Sequence, residues 1–168
     1  MKRLAVTVLF AALTSAAAAQ QAILLVRHAE KATESNEPGV PLSEAGRARA
    51  ARLAELLKNA GVTAVYATDT DRARQTAEPL ARVLKLAVRI YPPRDAAGKL
   101  APQLLLDRLK KEEPSGVVLA VGHQNTVPDL LTALGDRERV EIAASQYDDL
   151  FVVVPRAGGP PTVVRLKY

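Results

Sequence analysis

Two histidines, His28 and His123, are the only imidazoles in this 168-residue chain, and each is set among groups that bind anions. His28 lies in Arg27-His28-Ala29-Glu30, directly after the apolar run at residues 22–26 (AILLV). His123 lies in Gly122-His123-Gln124-Asn125-Thr126, directly after the apolar run at 116–121 (GVVLAV). A third polar cluster, Thr68-Asp69-Thr70-Asp71, runs into Arg72-Ala73-Arg74-Gln75-Thr76. Neutral imidazole is a good nucleophile toward phosphorus, and guanidinium groups grip phosphate oxygens bidentately. Neighbouring arginines disfavour imidazolium, which lowers the pKa of His28 and keeps it nucleophilic at neutral pH. Each feature alone has a plainer reading: a polar strand cap, a solvated helix face for Arg72 and Arg74, a tight turn at Gly122. Both histidines falling at corresponding strand ends is what points to shared phosphoryl chemistry.

The elements that must position these groups follow from periodicity. Residues 22–26 are wholly apolar, as in a strand covered on both faces. Residues 29–42, with Asn36, Pro38, Gly39 and Pro41, read as a loop. Ser43 is the expected N-cap of a helix that stops at Gly61. Leu53, Leu56, Leu57 and Ala60 recur at helical spacing, while Arg47, Arg52, Glu55 and Lys58 mark the wet side. Further strands are predicted over 63–67, 86–90 and 116–121. Helices are predicted over 70–85 (kinked at Pro79), 100–112 and 126–134. Residues 150–154 and 162–166 flank a Gly/Pro turn and read as a final antiparallel pair. This alternation implies a three-layer α/β sandwich: a mostly parallel sheet of about six strands, helices on both faces, and an antiparallel C-terminal strand. Ligands of such sheets gather at the carboxyl ends of the strands, where all three polar clusters fall.

Composition bounds the rest. Hydrophobic residues make up 48% and charged residues 24%, as in an ordinary globular domain rather than a disordered or multi-span membrane chain. The absence of cysteine excludes disulfides, cysteine nucleophiles and cysteine metal sites. Aromatics at 4% supply no stacking platform, so nucleic acid is not an expected partner. Residues 1–19 carry Lys2 and Arg3 ahead of an apolar run and an alanine-rich cleavage site, the pattern of a signal peptide. The run is about half the roughly 20 residues that span a bilayer. Export to the periplasm or beyond is expected, with residues 20–168 as one catalytic domain and no stable membrane insertion after cleavage. Losing Lys2 and Arg3 lowers the formal charge of +5 by two, so net charge is weak testimony for a polyanion partner.

The motifs, taken together, resemble those of the histidine phosphatase superfamily, also called phosphoglycerate mutase-like. Leu25-Val26-Arg27-His28-Ala29-Glu30-Lys31 resembles its Arg-His-Gly motif, with Ala29 in place of glycine. Arg72-Ala73-Arg74-Gln75-Thr76-Ala77 resembles its second arginine motif and makes Arg72, rather than Arg74, the phosphate arginine. Gly122-His123 with Asn125-Thr126 resembles its second histidine motif, and Pro41-Leu42-Ser43-Glu44-Ala45-Gly46 its helix opening. The likeness implies a phosphatase in which His28 attacks phosphorus, with Arg27, Arg72 and His123 holding the phosphoryl oxygens, Asn125 binding substrate, and no metal or other cofactor. In one branch an Asp directly follows the second histidine; Gln124 stands there, which places the chain outside that branch. The other branch often takes a Glu from the loop after the third strand. The nearest acid is Asp95, with Glu30 the alternative proton donor. No insertion is large enough for the cap domain of phytase-like members. The expected substrate is a phosphomonoester, a phosphosugar or a cell-envelope phosphate, and phosphatase action is favoured over mutase action. The rivals are a phosphate-binding module without turnover, and a zinc hydrolase ligated by His28, His123, Glu30 and an Asp.

Overall fold

A computed structural model describes residues 22–156 and 158–168, so the leader expected at 1–19 lies outside the described residues. The alternation becomes β1 (Ala22–Arg27), α1 (Glu44–Leu57), β2 (Val62–Thr68), α2 (Asp71–Leu84), β3 (Val88–Tyr91), α3 (Pro102–Glu112), β4 (Val117–Gly122), α4 (Thr126–Ala133), β5 (Asp149–Arg156) and β6 (Gly159–Lys167). The strands form one sheet in the order β3-β2-β4-β1-β5-β6. The first four are mutually parallel, while β5 and β6 run antiparallel. Alternate residues of the apolar strands feed two cores. Ile23, Leu25, Tyr66 and Ala120 pack beneath α3 and α4. Leu24, Val26, Val65 and Val121 pack beneath α1 and α2. The three-layer sandwich expected from the sequence is therefore what the chain forms. Among the described residues no helix is long and apolar enough to cross a membrane.

Boundaries differ from expectation where capping intervenes. Ser43 caps α1 as predicted, its hydroxyl accepting from Gly46 N at 3.0 Å. The helix closes at Leu57, however, and Gly61 (φ 71°) instead shapes the turn into β2. Leu86 is not strand, because Lys85 turns left-handed (φ 57°) and Leu86 N returns to Ala81 O at 2.8 Å, closing α2. Pro79 sits within α2, which continues past it as one helix.

One glycine decides how closely α1 approaches the first polar loop. A Cβ on Gly46 would lie 2.2 Å from the carbonyl oxygen of Glu30, a backbone atom two residues beyond His28. Gly46→Ala is therefore expected to push α1 off this loop, costing about 1–3 kcal/mol of stability. Thermal melts check this, and an unchanged melting temperature would show that the contact is slack.

Candidate active site

Arg27 pairs with Gly122 across the parallel β1/β4 ladder, so the residues that follow, His28 and His123, leave neighbouring strands at equal height. His28 N binds Gly122 O at 2.9 Å, and the imidazole centroids are 5.2 Å apart in edge-to-face contact. Arg72 enters from the first turn of α2. Over these strand ends opens a cleft of about 910 Å³, into which Arg27, His28, Arg72, His123 and Asn125 all face.

His28 is 4% exposed and its Nδ1 lies 2.7 Å from Ala29 O. A carbonyl can only accept, so Nδ1 carries the proton and Nε2 carries the free lone pair. Burial, joined by the charges of His123, Arg27 and Arg72, drives the His28 pKa down to about 3 against the pull of the Ala29 bond. His123 is lowered to about 4, first by burial and then by Arg72, Arg27 and Arg94. Its Nε2 is hydrogen-bonded to Thr68 Oγ1 at 2.7 Å, while its backbone N donates to Thr126 Oγ1 at 2.7 Å. Gly122 permits that approach, since a Cβ there would lie 2.5 Å from Thr126 Oγ1.

Among the described residues neither of the two arginines has a counter-ion. Arg27 and Arg72 are each 6% exposed, and each leaves its buried Nε without a partner. Arg27 donates through Nη1 to the carbonyls of Ala143, Ala144 and Gln146 at 2.9–3.0 Å and lies 4.1 Å from the Tyr147 ring centroid. Arg72 donates to Glu37 O at 2.9 Å and Asn36 O at 3.5 Å. All these acceptors are neutral. Burial lowers the pKa of both guanidiniums. A buried cation with no anion is costly, and the deficit is met when an oxyanion enters. Arg74, by contrast, points outward and pairs with Asp69 and Asp71.

The two acids expected as proton donors are engaged elsewhere. Glu30 is clamped by Arg49 through contacts of 2.7–3.0 Å, and Arg49 also holds Tyr168 O. That clamp also removes Glu30 from any zinc site built on the histidines. Asp95 is exposed and caps its own turn, Oδ1 accepting from Ala97 N and Lys99 N at 2.9 Å each. Neither faces the cleft. The carboxylates that do are Asp129 and Glu141. Asp129 was missed by the sequence reading, as was Tyr147, while Thr68 stood in the third polar cluster with no role given; only the helical stripe Asn125, Pro128, Asp129 and Thr132 carried a signal for Asp129. The substitution of Ala29 for glycine is also explained. Lys85 is the only non-glycine residue with positive φ among those described, so position 29 needs no left-handed backbone. The Ala29 methyl group joins Leu42 and Ala50 in a small buried cluster.

Because both imidazoles are held neutral, low pH should stress the protein before it silences the nucleophile. An unfolded chain takes up two protons near pH 6.5, whereas the folded sites resist until about pH 3 and 4. The stability is complete above pH 6.5 and is lost as pH falls toward 3–4. Thermal melts from pH 7 to 4 check this, and the slope should flatten in a His28→Asn, His123→Asn double variant.

The site on this α/β sheet thus pairs neutral imidazoles with buried guanidiniums that lack an anion, the chemistry of a site suited to an oxyanion. A family model described as the histidine phosphatase superfamily (branch 1) matches residues 23–93, from β1 to just beyond β3. Over that segment, which carries Arg27, His28 and Arg72, the chain is similar to that superfamily. Solved structures agree on the fold. The protein histidine phosphatase SixA complexed with tungstate is 21% identical with a TM-score of 0.70, covering 87% of this chain and 96% of that one. A protein from Escherichia coli described as an alpha-ribazole-5′-P phosphatase is 16% identical with a TM-score of 0.71, covering 89% and 97%. A mycobacterial glucosyl-3-phosphoglycerate phosphatase is 17% identical with a TM-score of 0.64, covering 88% and 97%.

Proposed function

We propose that this chain hydrolyses a phosphomonoester through a phosphohistidine on His28. The observation that carries the reading is the pair of buried guanidiniums of Arg27 and Arg72, each bonded only to neutral carbonyls and each with an unpartnered Nε, flanking a histidine whose Nε2 lone pair is free. Nε2 attacks phosphorus as the P–O bond to the leaving alcohol breaks, and the departing oxygen takes up a proton. Arg27, Arg72 and His123 hold the three phosphoryl oxygens and offset the charge gathered in the transition state. Water then attacks phosphorus, the P–N bond breaks, and inorganic phosphate leaves. The arginines supply the positive charge that a metal ion provides in other phosphatases. Asn125 caps α4 without using its side chain on the helix, which leaves its amide for the substrate. With the leader expected at residues 1–19, the substrate is an extracytoplasmic phosphomonoester such as a phosphosugar or a cell-envelope phosphate.

The test uses residues 20–168 with an aryl phosphate across pH 4–8, quenched early in base and read by mass spectrometry. A base-stable, acid-labile phosphate on His28 with release of inorganic phosphate supports the reading. Saturable phosphate binding with neither adduct nor turnover, including in single-turnover trapping, would instead make the chain a binding module.

A further inference from the structure

After β3 the chain makes a tight hairpin whose construction is explained by nothing in the phosphoryl site. Arg94 and Leu100 form an antiparallel bridge, Ala101 N donates to Pro93 O at 3.0 Å, and Asp95 N donates to Lys99 O at 2.9 Å. Gly98, at φ 77°, turns the tip and donates to Asp95 O at 3.0 Å. The Asp95 carboxylate adds its two bonds to Ala97 N and Lys99 N, so the residue expected as an acid is the staple of this turn. What the staple fixes is Arg94, whose Nη1 donates to Gly98 O at 2.6 Å and whose side chain faces the cleft.

Arg94 differs from the other cations around the cleft. Arg27 and Arg72 lie buried at its floor. The Lys31 ammonium has spent its donors on Glu34 O, Ser35 O and Asn36 Oδ1 at 3.0–3.1 Å. Arg139 is paired with Glu141 at 3.6 Å. Among the described residues lining the cleft, Arg94 alone combines a fixed position at the mouth, no carboxylate partner and N–H groups left over. It lies near enough to the phosphoryl site for its charge to disfavour protonated His123. The cleft, at about 910 Å³, is of a size that accommodates a whole small-molecule ligand, so a leaving group can extend from the floor to the mouth.

We propose that Arg94, held by the Asp95 hairpin, binds a second anionic group on the leaving portion of the substrate. The preferred esters then carry a carboxylate or a further phosphate besides the phosphate that is removed, both of which suit the guanidinium fork. Arg94 is a specificity residue and Asp95 a positioning residue. This rests on the phosphatase reading but can fail separately from it.

The test compares kcat/KM for propyl phosphate, phosphoglycolate and 1,3-propanediol bisphosphate. The full-length protein should prefer one or both of the last two, and which one identifies the anion as carboxylate or phosphate. Arg94→Ala should erase that preference, a relative loss of about tenfold or more carried mainly by KM. Asp95→Ala should reproduce the loss in part, and Arg94→Lys should restore part of it. No preference in the unmodified protein, or an equal loss on all three esters in Arg94→Ala, overturns the inference and leaves the phosphatase reading intact. Calorimetry on His28→Ala, which cannot form the phosphoenzyme, covers the converse case. Tighter binding of phosphoglycolate or of 1,3-propanediol bisphosphate than of propyl phosphate, abolished by adding Arg94→Ala, upholds the subsite even if no ester is hydrolysed. Equal binding of all three overturns it.

Discussion

His28→Ala should release phosphate at least about 10⁴-fold more slowly than the unmodified protein, because the covalent route proposed here loses its nucleophile. The loss should fall on kcat, since Arg27, Arg72 and His123 still face the cleft and can still bind the phosphoryl group. Folding should be little affected. The ring is buried, but its one hydrogen bond among the described residues is local, to Ala29 O, and the imidazole is neutral, so no ion pair is lost. Phosphate release by stopped assay, paired with inorganic phosphate binding by calorimetry, separates the two effects. Activity near that of the unmodified protein would mean that phosphorus is attacked by something other than His28.

Arg72→Ala should be the next most damaging change, lowering kcat/KM by roughly 10²–10³-fold, the range seen when one preorganised donor to a developing oxyanion is removed. Two consequences combine. The phosphoryl group loses one of the two buried guanidiniums, and the carbonyls of Asn36 and Glu37 lose their donor, freeing the loop that Lys31 also gathers. Arg72→Lys should recover only part of the loss, because an ammonium keeps the charge but not the fork. The melting temperature without phosphate should hold or rise in Arg72→Ala, since a buried cation lacking an anion has been removed, while the stabilisation given by added phosphate should shrink. A fall in melting temperature, with phosphate stabilisation intact, would assign Arg72 to holding the loop alone.

Much of this arrangement was legible in the chain because it is local or periodic. The apolar runs before His28 and His123 fixed both histidines at strand ends, and parallel alternation put those ends on one edge of the sheet. Ser43 advertised its cap. Arg72 was separable from Arg74 only by motif likeness, and the geometry gives the physical difference: one is buried without an anion, the other is half-buried between two aspartates. What stayed hidden depends on contacts far apart in sequence. The carbonyls that hold Arg27 come from a loop more than 110 residues away and carry no side-chain signature at all. Tyr147 reaches the site by the same loop, which is tied down by buried Asp149 through Gln146, Arg165 and Lys167. The acids at 30 and 95 misled for a related reason. A carboxylate near a motif looks available until its partner is known, and Arg49 and the turn at 95–99 are those partners.

The equal height of His28 and His123 on adjoining strands means that their spacing is inherited from the sheet. Neighbouring strands stand about 4.8 Å apart, and the two imidazole centroids stand 5.2 Å apart. The backbone ladder thus acts as a ruler for the histidine pair, while the segment at 143–147 places Arg27 and the hairpin at 93–101 furnishes only the rim. That hairpin can be exchanged, lengthened or recoded without disturbing the ruler. On the proposed reading, a single scaffold of this kind can be re-addressed to new phosphate esters by grafting its rim, with the floor left unaltered.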